Sequence, residues 1–220
     1  MLSAIAAADV DDLARALEQG QADGARWRVH AHVDKWDADQ TEWVAKRSGL
    51  LVPGQRVARR GPAAPTARHF EDLKVCPGEV VDQPGNLLVT AGLTRLLSLL
   101  NGAGGQAATN TATRLGTGNG AGSAAAGDTD LSAAAGSANR WFQIMDATFP
   151  SVATNVLTAK ATFATGDGNY AWNEWGLDIG TPTVTSSAVV NATLLNHKTS
   201  AALGTKASGS WALTVTVTIT

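Results

Sequence analysis

The sequence predicts a mainly β protein, a C-terminal β-sandwich of jelly-roll-like kind joined to a small α+β N-terminal region. Three observations carry this. Residues 211–220 alternate strictly: Trp211, Leu213, Val215, Val217 and Ile219 fall on one side and Ala212, Thr214, Thr216, Thr218 and Thr220 on the other. That is a strand with one face in a core. Runs of strand-like residues separated by turn dipeptides recur from residue 79 onward. Charge is uneven, with 11 Lys/Arg and 12 Asp/Glu in residues 1–80 but only 6 and 7 in residues 81–220, so the second part has little charge to keep it monomeric.

The elements follow in order. Residues 9–19 read as a short amphipathic helix, with Asp9 as N-cap, Val10, Leu13 and Leu17 as its stripe and Gly20 as its stop. Trp27, Val29, Ala31 and Val33 alternate against Arg28, His30, His32 and Asp34, a half-buried strand. Asp37 with Gln40 three residues on is a capping-box pattern for a second helix, with Trp43 and Val44 as apolar contacts and Gly49 as its end. Residues 1–47 therefore form a helix–strand–helix docking unit, too small to be stable without a surface to pack on.

Residues 48–78 contain Pro53, Pro62, Pro65, Gly54 and Gly61, with Arg56, Arg59, Arg60 and Arg68 and no acid between Glu42 and Glu71. They read as a basic arm or linker, the arginines being the candidate contacts to an acidic partner surface. The third region, 79–220, is the sandwich domain. Residues 79–82 suggest a short strand and Pro84–Gly85 a turn; TAGLTRLLSLL is a helix capped by Thr90, with Leu93, Leu96, Leu97 and Leu100 as its buried face. From Asn101 to Ala138, 29 of 38 residues are Ala, Gly, Ser or Thr, side chains too small for a core, so long loops surround one short strand at 111–117. Strands follow at 139–148, 155–165, 170–179, 187–197 and 210–220, with Asp167–Gly168 turning 155–165 into a hairpin with 170–179. The threonine face of the last strand is uncharged and, placed at a sheet edge, would invite pairing with another chain. Such a chain is a building block rather than a solitary enzyme.

Composition narrows the function classes. A net charge of -2 argues against a protein whose task is to neutralise nucleic acid. Cys76 is the only cysteine, which leaves no intrachain disulfide. No apolar run reaches membrane-span length. The N-terminus lacks a basic n-region and soon turns acidic, so synthesis and assembly in a cytoplasm are expected.

At residues 86–220 the run GNLLVTAGLTRLLSLL, RLGTGNG, MDATFPSV, ATFATGDGNYAWNEWGL, LLNHK and LGTKASGSWALTVTVTI resembles a family of structural proteins of tailed bacteriophages. The AWNEWG segment and the LGTK…WALTV terminus are its distinctive parts. The resemblance implies a virion component: a capsid decoration or minor capsid protein, or a minor tail protein.

No constellation predicts catalysis. Gly116, Gly118, Gly120 and Gly122 lack the Lys-Ser/Thr of a phosphate loop. Of Asp146, Asp167, Glu174 and Asp178, Asp167 reads as a turn residue and Asp178 as an outward strand position. Glu174, between Trp172 and Trp175, reads as a buried hydrogen-bond anchor rather than an acid of glycoside hydrolysis. His30 and His32 are too few for zinc and belong to a polar outer face, and His197 to a strand end. Tyr170, Trp172, Trp175 and Trp211 are core rather than a sugar platform. Neither cofactor nor metal is expected. The expected partners are the major capsid protein and further copies in a homotrimer, with no membrane or direct nucleic-acid binding.

Overall fold

The computed structural model describes residues 27–51, 64–180 and 193–220. The expected helix at 9–19, the arginines at 56, 59 and 60, and residues 187–192 of an expected strand lie outside them. The elements are β1 (Trp27–Trp36), α1 (Ala38–Arg47), α2 (Ala67–Asp72), β2 (Glu79–Pro84), β3 (Leu87–Leu88) and α3 (Thr90–Leu100), then β4 (Arg114–Gly118), β5 (Arg140–Ile144), β6 (Ser151–Ala153), β7 (Val156–Phe163), β8 (Glu174–Asp178), β9 (Leu194–Lys198) and β10 (Ser210–Ile219).

Two five-stranded antiparallel sheets result, ordered β2-β1-β10-β7-β6 and β3-β9-β8-β4-β5. The period-2 apolar sets of both meet in one core: Val29, Ala31, Val33, Leu213, Val215 and Ala161 from the first, Leu115, Trp141, Trp175, Leu177 and Leu195 from the second. This is the expected β-sandwich, with small helical content.

Several details differ from the sequence expectation. β10 is an interior strand, hydrogen-bonded along its length to β1 and β7. Its threonine face is a sheet face and not an edge, so the edge-pairing argument drops out. β1 was expected in a separate docking unit, yet it sits between β2 and β10. Its alternation needs a partner layer, and the sandwich supplies it. β7 and β8 belong to different sheets, so Asp167–Gly168 turns the chain from one layer to the other rather than closing a hairpin. Gly168 has φ +63 there, the left-handed region glycine adopts cheaply.

α1 begins with the expected capping box, Asp37 accepting from Gln40 N at 2.7 Å while Gln40 Oε1 accepts from Asp37 N at 3.1 Å. α1 and α2 cover one end of the outer face of β1 and β10. Trp36 stacks on Phe70 with centroids 4.1 Å apart, and Val44, Ala67 and Ala212 complete this smaller cluster. Ala67 N donates to Thr162 Oγ1 at 2.8 Å. The last part of the expected arm is therefore a helix docked on the sheet.

The leucines of α3 are the largest departure. Gly92 lies so close to β9 that a Cβ would sit 2.4 Å from Leu195 Cα, and Leu96 packs on the main core. Leu93, Leu97 and Leu100, expected to be buried, are 40%, 55% and 84% exposed. The small residue at 92 lets the helix lie on its glycine side, and that turns the leucine stripe outward.

Candidate functional site

The densest polar cluster lies on the outer face of the second sheet. In β8 and β4 the residues facing away from the core are Glu174, Gly176, Asp178 and Arg114, Gly116, Gly118, a row of charges and glycines. The long small-residue loop 119–139 lies over this face. Leu131 packs with Val89, Phe142 and Leu194 in a third apolar cluster. Beneath the loop Glu174 is fully buried. Its Oε2 accepts from Ser132 N at 2.9 Å and Ser132 Oγ at 2.7 Å, and its Oε1 from Ala133 N at 2.7 Å. His197 Nε2 stands 2.9 Å from Oε2, and Nδ1 stands 2.6 Å from Asp128 Oδ2.

An imidazole flanked by carboxylates at both nitrogens is a double donor, hence the cation. Burial alone lowers the His197 pKa, but the bonds to Glu174 and Asp128 outweigh it and the pKa is raised. Burial pushes Glu174 up, and its bonds from His197, Ser132 and Ala133 outweigh that, so its pKa is lowered. Asp128 is lowered too: burial raises it, but the Ala125 amide and His197 prevail. Arg140 extends the cluster, donating to Asp130 at 2.9 Å and to Ala133 O at 3.2 Å.

The glycine run makes room for this carboxylate. A Cβ on Gly118 would lie 2.4 Å from Glu174 Oε1, and one on Gly120 2.5 Å from the same atom. Gly116 admits the Phe142 ring, which a Cβ would meet at 2.4 Å. The run is the floor of a loop clamp. Chemically the cluster holds the loop: the Glu174 carboxylate accepts from the Ser132 and Ala133 amides and from the Ser132 hydroxyl.

Deeper on the same face Arg114 Nη1 and Asp178 Oδ2 are 3.2 Å apart and both side chains are fully buried. Asp178 does face outward from the core, as expected, yet it is fully buried because this sheet face is covered. Burial raises its pKa to about 6 against the opposing charge of Arg114. His197 is next to last in β9, the strand end expected, and is buried under the same cover. The Asp146 carboxylate accepts from Thr162 N at 3.0 Å and from Thr162 Oγ1 at 2.6 Å. Asp167 is buried in its turn, accepting from Ala164 N at 3.3 Å. Glu174 is the buried anchor expected, and Tyr170, Trp172, Trp175 and Trp211 all lie in the core.

The outer face of the first sheet carries the histidine pair. His32 Nδ1 is 2.8 Å from Asp82 Oδ1, His32 Nε2 is 3.1 Å from Asp34 Oδ1, and His30 Nε2 is 3.3 Å from Asp82 Oδ1. Burial lowers the His32 pKa, but bonds to Asp82 and Asp34 outweigh it and raise the value. Among the described residues no three His, Cys, Asp or Glu side chains are grouped to hold a metal ion, nor is any helix long and apolar enough to cross a membrane. Beside the pair an open groove of about 370 Å³ is lined by Trp27, Arg28, His30, Asn86, Thr216 and Thr218. The Asn86 Nδ2 is buried there without a hydrogen-bond acceptor.

Of the arginines expected to bind a partner, Arg68 is the described one. It is exposed on α2, with Nε 3.6 Å from Asp72 Oδ2 on its own helix. Cys76 is a free, exposed thiol. No family model, no characterised protein and no solved structure matches this chain.

Proposed function

We propose that this chain is a non-enzymatic structural component of a tailed-bacteriophage virion, a capsid decoration or minor capsid protein that binds the shell exterior and stabilises it. The reading starts from the motifs of residues 86–220. The observation that carries it further is the use made of the buried polar groups. Glu174, His197, Asp128 and Arg140 hold a loop on a sheet face, which favours a rigid shell module over a site that must present a reactive atom. The protein acts in the virion after assembly in the host cytoplasm, as a homotrimer seated on the major capsid protein, without membrane or nucleic-acid contacts. Arg56, Arg59, Arg60 and Arg68 supply salt-sensitive contacts to capsid carboxylates. Copy number tests this: quantitative mass spectrometry of purified particles is expected to find hundreds of copies each. A handful per particle assigns the protein to the tail instead.

The groove beside His30 favours a second reading, a minor tail or fibre protein with a receptor- or glycan-binding head. Asn86, Thr216 and Thr218 line its wall with hydrogen-bonding side chains, a combination suited to saccharide hydroxyls. On that reading a glycan array gives a hit that Asn86→Ala weakens roughly tenfold or more. An array without hits counts against it.

A further inference from the structure

α3 is apolar on two sides, and the sandwich uses only one. Gly92 and Leu96 face the domain, while Leu93, Leu97 and Leu100 face out, 40%, 55% and 84% exposed. A surface helix needs a single apolar stripe; a second is stable only with something against it. The outward leucines are spaced four and three residues apart, the a/d spacing of a helix–helix seam.

The occupant follows from the charges. α3 contains no acidic residue and one basic residue, Arg95. Its guanidinium bends back onto the next segment, Nη1 donating to Gln106 O at 3.1 Å. The outward face therefore offers nothing to recognise a charged partner, and the complement it needs is another charge-free leucine stripe. We propose that α3 packs against α3 of a second copy of this chain. The three leucines together expose a little under two whole leucines per copy. That is the dry centre of a contact about the three-fold axis of the trimer, where each stripe meets those of the neighbouring copies; it falls short of the ~800 Å² per partner of a standard interface, so polar neighbours form the rim. The inference rests on the self-association in the proposed function and assigns it a surface.

Sedimentation of the full chain at about 50 μM tests it. The wild type is expected to run as an oligomer. Leu97→Glu with Leu100→Glu is expected to run as a single chain, its dissociation constant raised at least ~100-fold. Both side chains are largely exposed in the single chain, so the variant stays folded and melts cooperatively, losing only the part of the wild-type melting temperature that association contributes. Val152→Glu, 72% exposed on β6, is expected to leave the oligomer intact. An oligomer unchanged by the α3 substitutions overturns the assignment while self-association stands. A monomeric wild type overturns both. If that monomer associates once Leu13 and Leu17 become Glu, the stripe is covered by the chain's own N-terminal segment.

Discussion

Replacing Val215 and Val217 together by aspartate is expected to leave no folded protein. Both are buried, and each lies between two hydrogen-bonded neighbours: Ala31 and Ala159 beside Val215, Val29 and Leu157 beside Val217. A carboxylate there faces the apolar layer of the opposite sheet, where no cation among the described residues is placed to receive it. One unpaired buried charge costs about 3–5 kcal/mol, and a domain has about 5–15 kcal/mol in all. Two cost about 6–10 kcal/mol, most or all of that margin. The variant is expected in the insoluble fraction, or without a cooperative urea transition. Thr216→Asp, on the outer face between the two sites, is expected to cost no more than ~1 kcal/mol. A soluble double variant that melts at the wild-type temperature means the two faces of β10 are reversed.

What was legible in the sequence divides along physical lines. Alternation is local, so β1, β4, β7 and β10 could be read from residues 27–36, 114–118, 156–163 and 210–219, as could the Asp37–Gln40 cap. Strand pairing is not local. Nothing in WRVHAHVDKW says that it enters the sheet beside β10, because its partner lies far along the chain. The turn at Asp167–Gly168 has hairpin chemistry, yet the layer each strand joins is decided by where Phe163 and Trp175 find their core. Burial of a helix face is likewise a tertiary property. The α3 stripe was visible, but the close approach at Gly92 chose which side lies on β9.

The clamp was half legible. Glu174 drew notice through its tryptophan neighbours, whereas its partners Ser132 and Ala133 sit in a stretch of nearly uniform composition. One signal was present: Asp128 and Asp130 are the only charged residues between 119 and 139. A long uncharged loop that keeps two acids uses them for something, here His197 and Arg140.

Removing the Glu174 carboxylate is expected to release that loop while the sandwich stays folded. Glu174→Ala leaves the buried Ala133 N and His197 Nε2, and the Ser132 amide beside them, without their acceptor, and the imidazolium with one counter-charge instead of two. The cost is about 3–5 kcal/mol. Since loops open locally at less than the cost of global unfolding, it appears first as lost hydrogen-exchange protection of the Ser132 and Ala133 amides and as cleavage within 119–139. The wild type should show the same opening as a function of pH. The raised His197 pKa gives stability that is complete below the unfolded value of 6.5 and lost as pH rises through the folded one. The lowered Glu174 pKa gives stability present above 4.5 and lost as pH falls through its folded value. Protection of the two amides, corrected for intrinsic exchange, should therefore peak between pH 4.5 and 6.5 and decline on both sides. Glu174→Gln keeps an oxygen acceptor but no charge, so it should hold the loop more weakly and flatten the acid side of the profile. If Glu174→Ala exchanges these amides as slowly as wild type, Leu131 and its apolar neighbours hold the loop and the carboxylate does not.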